Sequence, residues 1–171
     1  MASDYLEIRS GTKNTLLFTG GLPFQQRHGS RMLDVILITE GESASTFQLA
    51  LGLDRDYPIH TALGLVSPTP LVPVHKGPPP TGPTGWLFHL DSPNLLLTTL
   101  RPAPEGTDGV VARLRECGRC TGTAEFRCVR DPRRAVLQDA RGELLRDADT
   151  CNDAAIFDYS SSDLMQLKVE F

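Results

Sequence analysis

The sequence is short of several things, and each shortage narrows what the chain can be. No run approaches the roughly 18 apolar residues of a membrane-spanning helix, and the opening "MASDYLEIRSGTK" lacks the apolar segment of a signal peptide. No membrane partner and no cleaved leader are therefore expected in these 171 residues, and the compartment stays unassigned. Positive charge is also in deficit: 17 basic against 21 acidic residues give a net charge of −4. Arginines do gather at 113, 115, 119, 127, 130, 133 and 134, but acids are interleaved among them, so nucleic acid is not the expected partner. No N-x-Ser/Thr acceptor occurs. Four cysteines are too few for a disulfide scaffold of this length.

What is present reads as an all-β fold. "TFQLALGLD" alternates strictly, placing Phe47, Leu49, Leu51 and Leu53 on one face, and "DLMQLKVEF" does the same with Met165, Leu167, Val169 and Phe171. "MLDVILITE" and "NLLLTTL" are apolar runs suited to strands buried on both faces. "DYLEIR", "NTLLFT" and "GWLFHLD" are shorter candidates, and "TGGLP", "TEGES", "DSPN", "PEGTDG" and "DARGE" supply turns. The expected architecture is a single domain over 1–171, an antiparallel β-sandwich of about eight to ten strands. "DPRRAVLQDARGELLRDA" reads as two short strands about a turn, with a helix as the alternative. Residues 67–84 hold seven of the thirteen prolines, which cannot donate to a ladder, and so form a long surface loop.

The chemistry-bearing candidates are few. Cys117 and Cys120, in "RECGRC", have the spacing of half a zinc site, and Cys128 and Cys151 could supply the remaining ligands. No second C-x-x-C exists, however, and zinc ribbons use two. A redox dithiol would want a helix N-terminus, and a β-like run precedes this one. A hairpin centred on Arg119 accounts for more of the surrounding residues. It puts Val110, Ala112 and Leu114 on the same face as Ala124, Phe126 and Cys128. It also sets Ala112 opposite Phe126, Val110 opposite Cys128, and Arg113 across from Glu125. No metal is expected in the domain on this reading.

Trp86, the lone tryptophan, is a sugar-stacking candidate, with core or interface packing as the alternative. Asp54, Asp56, Tyr57 and His60 have the composition of a calcium or sugar loop, and a plain polar loop is the reading preferred. Ser160, Ser161 and Ser162 have no nucleophile-elbow context. A glycosidase needs a carboxyl pair at about 5–9.5 Å, and the sequence singles out none.

The run "NLLLTTLRPAPEGTDGVVARLRECG", residues 94–118, resembles a signature near the C-terminus of glycoside hydrolase family 38, the α-mannosidases. A strand ending in Thr-x-Leu-Lys/Arg-Pro, an acidic-Gly turn, and a strand with Arg-Leu-x-Glu before a glycine fall here on Thr98, Leu100, Arg101, Pro102, Glu105, Gly106, Arg113, Leu114, Glu116 and Gly118. The resemblance is sharpest over residues 86–118, looser to 171 and weak before 65. It implies a non-catalytic C-terminal β-sandwich of a larger hydrolase, Met1 being an expression start and Phe171 the native C-terminus. In that family an N-terminal α/β domain does the catalysis. Its zinc sits on a His-x-Asp pair plus a further Asp and His, with an Asp as nucleophile. His89-Leu90-Asp91 is the one His-x-Asp here and lies in the wrong part of the family's order. The resemblance thus implies no catalytic residue in this chain, zinc in a catalytic domain elsewhere, and that domain as partner. Arg113 and Glu116 are the residues it suggests for bracing that domain and its cleft. A free-standing carbohydrate-binding or adhesion module is the alternative.

Overall fold

The computed structural model describes residues 4–30, 32–67, 71, 73 and 85–171. The chain divides into two compact units, Met1–Pro73 and Val74–Phe171. The expected proline-rich loop lies outside the described residues except at Ser67, Leu71 and Pro73. Every strand pairing is antiparallel, and the fold is all-β with one short helix.

In the first unit, β1 (Tyr5–Ser10), β2 (Lys13–Phe18) and β5 (Ala50–Leu53) form one sheet in the order β1-β2-β5. A separate hairpin joins β3 (Gln25–His28) to β4 (Met32–Val35). The sheet and helix α1 (Pro58–Val66) share a small core of Leu16, Phe18 and Ala62. The alternation expected for "TFQLALGLD" is present but points the other way. Leu51 and Leu53 are 76% and 70% exposed, and Gly52 is the buried residue of β5. The Phe18 ring explains this, since a Cβ on Gly52 would stand 2.9 Å from its Cε2, so only glycine fits beneath it.

The "DRDYPIH" segment is a clamp followed by the helix. Asn14 and Asp54 bond reciprocally: the Asn14 N–H donates to the Asp54 side-chain Oδ1 at 2.8 Å, and the Asp54 N–H donates to the Asn14 backbone O at 3.0 Å. Tyr57 then takes a left-handed conformation, and Pro58 opens α1, where its missing N–H costs nothing.

The second unit holds β6 (Phe88–Leu90), β7 (Leu95–Pro102), β8 (Gly109–Glu116), β9 (Gly122–Cys128), β10 (Arg134–Gln138), β11 (Leu144–Cys151), β12 (Ala154–Tyr159) and β13 (Leu164–Glu170). They make one sheet in the order β6-β9-β12-β11-β10-β13-β8-β7. The first half of β11 pairs with β10 and its second half with β12, so β11 belongs to two layers and the sheet turns over along it. One core fills the space between. It takes Leu95, Ala112, Leu114, Leu137, Leu167 and Val169 from one layer and Ala124, Phe126, Cys128, Ala155 and Phe157 from the other. Phe88 stacks on Phe126 with ring centroids 5.5 Å apart, bringing the short edge strand β6 onto the same core.

The two strands expected within 131–148 are β10 and the first part of β11, which runs on to Cys151. The pairing expected for β8 and β9 is not found. β8 lies between β7 and β13, while β9 lies between β6 and β12. The inward residues are those expected, but the strands face one another across the core instead of lying side by side. Alternation cannot separate these arrangements, because both bury the same side chains. The Arg113–Glu125 pair is accordingly absent among the described residues, and Glu125 instead meets Arg127 at 2.9 Å.

Candidate functional site

The "CGRC" connection is a crossing between layers. Four connections make such a crossing: residues 129–133 from β9 to β10, and residues 91–94 from β6 to β7, 117–121 from β8 to β9, and 160–163 from β12 to β13. The last three meet at one carboxylate. Glu116 ends β8, faces inward and is 3% exposed. Its Oε1 accepts from Gly118 N–H at 2.6 Å, Cys120 N–H at 3.1 Å and Asn94 Nδ2 at 3.3 Å, and its Oε2 accepts from Ser162 N–H at 2.7 Å. Backbone bonds reinforce the junction, with Cys117 N–H donating to Asn94 O and Glu116 N–H to Asp163 O, each at 2.9 Å. The Tyr159 hydroxyl donates to Asn94 Oδ1 at 3.1 Å, which orients the amide toward the carboxylate.

Two glycines are required at this place. A Cβ on Gly118 would fall 2.7 Å from the Asn94 Cβ, and one on Gly122 would fall 2.8 Å from the Tyr159 Oη. Arg119 and Ser162 adopt left-handed backbone, at φ 58 and φ 67, in the two turns that close on Glu116. Burial pushes the Glu116 carboxyl upward, but the donors from Ser162, Cys120, Asn94 and Gly118 outweigh it and hold the group below the ordinary glutamate range. Glu116 is therefore an anion whose acceptor positions are filled from within the unit. Among the described residues it is the one buried carboxylate.

The other sequence candidates are dispersed. Arg113 and Glu116 are three positions apart on a strand and so lie on opposite faces, Arg113 exposed and Glu116 buried. Trp86 is 51% exposed, beside Leu87 and Val129, which are 66% and 58% exposed and are joined by the Val129 N–H to Leu87 O bond of 3.0 Å. Cys117 is half-buried and Cys120 exposed in the crossing, Cys128 is buried in the core, and Cys151 is exposed at the end of β11. The Cys128 thiol is pushed up to about 11, chiefly by burial. No group of three His, Cys, Asp or Glu side chains able to hold a metal occurs among the described residues. His89 is exposed on β6, and Asp91 Oδ1 accepts the Glu125 N–H at 2.8 Å.

The sequence singles out Glu116 and Gly118 but not Asn94, Gly122 or Tyr159, and it offers Ser162 only as one of three serines without a nucleophile context. The signal available was the pairing of Gly122 with an aromatic at the end of a strand, and that needs the layer arrangement to be visible. No protein-family model and no curated protein matches the sequence.

Proposed function

We propose that this chain is the non-catalytic C-terminal β domain of an α-mannosidase-like glycoside hydrolase. It would support the catalytic domain and contribute to the wall of its substrate cleft. The observation that carries this reading is the Glu116 junction. The run that resembles the family signature folds as β7, its turn and β8, and its Glu and Gly meet at 2.6 Å in the junction. The signature thus has a structural use here. Its carboxylate is held as an anion and fully occupied, the opposite of the raised, accessible carboxyl a glycosidase uses as its acid. Zinc belongs, on this reading, to the catalytic domain. The test is hydrolysis of an aryl α-mannoside. Residues 1–171 leave it intact with or without zinc, and the chain extended through any upstream reading frame cleaves it. Cleavage by residues 1–171, or a stop codon directly upstream, sinks the reading.

A second reading, a free-standing carbohydrate-binding module, is favoured by the exposure of Trp86. Saturable quenching of Trp86 fluorescence by mannose-containing oligosaccharides supports it, and an unchanged emission spectrum at high saccharide concentration excludes it.

A further inference from the structure

The first unit buries far less apolar surface than the second. Leu16, Phe18 and Ala62 form its whole buried core among the described residues, against fourteen residues in the core of the second unit. Leu16 and Phe18, with Gly52, point to the side of the β1-β2-β5 sheet that carries α1. On the other side the register sets two rows, Leu6–Leu17–Leu51 and Ile8–Thr15–Leu53. Alternation puts all six side chains on one face. Leu6 and Leu17 are half-buried, whereas Ile8, Leu51 and Leu53 are 54%, 76% and 70% exposed. Leu49, two residues before Leu51, is exposed as well. None of the six is charged, and the next row, Ser10–Lys13, adds one cation at the end of the face. Glu7 and Arg9 lie on the helix side and pair with each other at 2.8 Å. Arg55 lies there too, its Cγ 3.3 Å from where a Cβ on Gly52 would stand. A three-stranded sheet covered on one side alone is half of a two-layer fold.

We propose that a second copy of this chain covers this face, sheet on sheet about a two-fold axis. The pairing belongs to the first unit and does not depend on the function proposed above. Three observations select the occupant. The first is composition: the two rows are apolar but for Thr15 and carry no charge, so the face complements itself, as an isologous contact requires. A peptide strand would instead add to the edge at β1 or β5 and leave the face bare. The second is the charge at the rim. Lys13 opens β2 at the end of the sheet where Asp54 and Asp56 follow β5. Lys13 and Asp56 make no ion pair among the described residues. Stacked sheets keep their strands roughly aligned, about 10 Å apart. With the axis along the strands, β2 lies over β2 of the other copy and β1 over its β5. Lys13 of each copy then meets the acidic end of the other. A lipid surface would call for a basic rim, and these acids oppose it. The third is area. The exposed parts of these side chains amount to roughly 500 Å² a copy, so a pair reaches the ~1,000 Å² at the lower bound of a specific interface. Such a dimer is weak, forming at about 10–100 µM.

The experiment is sedimentation velocity of residues 1–171 from about 2 to 200 µM, spanning that dissociation range, with L51S/L53S, K13E and K13E/D56K alongside. The unaltered chain is expected to pass from monomer to dimer across the range and to stop there. L51S/L53S is expected to stay monomeric throughout. Its melting temperature at the lowest concentration should equal or exceed that of the unaltered chain, since both leucines are exposed in the monomer. K13E sets acid against acid at two symmetry-related places and should weaken the dimer about tenfold. K13E/D56K, which exchanges the signs, should recover most of that loss. A chain still monomeric at the highest concentration overturns the proposal, and so does a dimer that L51S/L53S leaves at full strength. A dimer lost in L51S/L53S but indifferent to K13E keeps the face and overturns the axis. Monomers whose Leu51 and Leu53 resist hydroxyl-radical labelling would give the face to a segment of the same chain. Flotation of the monomer with phosphatidylcholine vesicles, lost in L51S/L53S, would give it to lipid. Mass that keeps growing past the dimer would mark a merely adhesive patch. Each of these three results overturns the second copy as occupant.

Discussion

Glu116 and Ser162 stand 46 residues apart in the chain, and the Ser162 N–H donates to the Glu116 carboxylate at 2.7 Å. That one bond ties the β8–β9 crossing to the β12–β13 crossing, and Asn94 brings the β6–β7 crossing to the same carboxylate.

Removing the Glu116 carboxylate strands the N–H groups it serves. E116Q keeps the shape but turns an amide NH2 toward N–H donors, and E116A leaves them with no partner. A buried donor left unsatisfied costs about 1–3 kcal/mol. The Asn94 amide is buried, whereas the N–H groups of Gly118, Cys120 and Ser162 are partly buried and cost less. E116A is expected to destabilise the second unit by about 2–4 kcal/mol, with E116Q falling between it and the unaltered chain. Urea unfolding checks this, and equal midpoints for all three proteins would contradict it.

The same carboxylate sets an acid limb to stability. Its pKa is lower in the folded chain than in the unfolded one, so the unfolded state takes up protons first as pH falls. The contribution is fully present above the ordinary glutamate pKa and is lost progressively down to the folded value. E116Q should therefore flatten the stability profile between neutral pH and the acid range, narrowing its deficit as pH falls. A constant difference between the two proteins across that range would refute the assignment.

Glycine substitutions sort by what surrounds them. G118A and G122A place a methyl against Asn94 and Tyr159, and each is expected to cost about 1–3 kcal/mol. Gly64, within α1, has open space around it, so G64A should raise stability by about 0.5–1 kcal/mol. Thermal unfolding of the three variants gives the test by sign alone.

The thiols should separate by reactivity. Cys120 and Cys151 are exposed, whereas Cys128 is buried with its thiol pushed up to about 11. Alkylation at neutral pH followed by mass spectrometry is expected to label Cys120 and Cys151 rapidly and Cys128 only on unfolding. Rapid labelling of Cys128 in the folded chain would contradict its place in the core.

Much of the second unit was legible in the sequence because strands announce themselves by which side chains they bury. Alternation alone puts Val110, Ala112 and Leu114, and Ala124, Phe126 and Cys128, on the inward face that the structure shows. Their partners were not legible, since a period of two is satisfied both beside a neighbouring strand and across a core. "AAIFDY" carries too weak an alternation to mark β12, and "QQRH" is too polar to mark β3. Helix α1 carried a usable signal in Pro58, hidden behind the polar "DRDY". In "LALGL" alternation points to the leucines as the buried set, and only the Phe18 ring over Gly52 shows why they are not. The junction was half legible. Glu116 and Gly118 stood out by resemblance, whereas Asn94, Tyr159 and Ser162 reach it by hydrogen bonds between turns distant in sequence, which no local pattern encodes.

The place of β13 has a consequence for the order of folding. The strand follows β10 and β8 in the chain, yet it takes its place between them in the interior of the sheet. Until residues 162–170 emerge, β8 has one neighbour instead of two, and Glu116 waits without its Ser162 donor. The second unit therefore completes its fold only once β13 has been made, and a product that stops short of it would present two open edges and a buried anion short of one donor to the quality-control machinery.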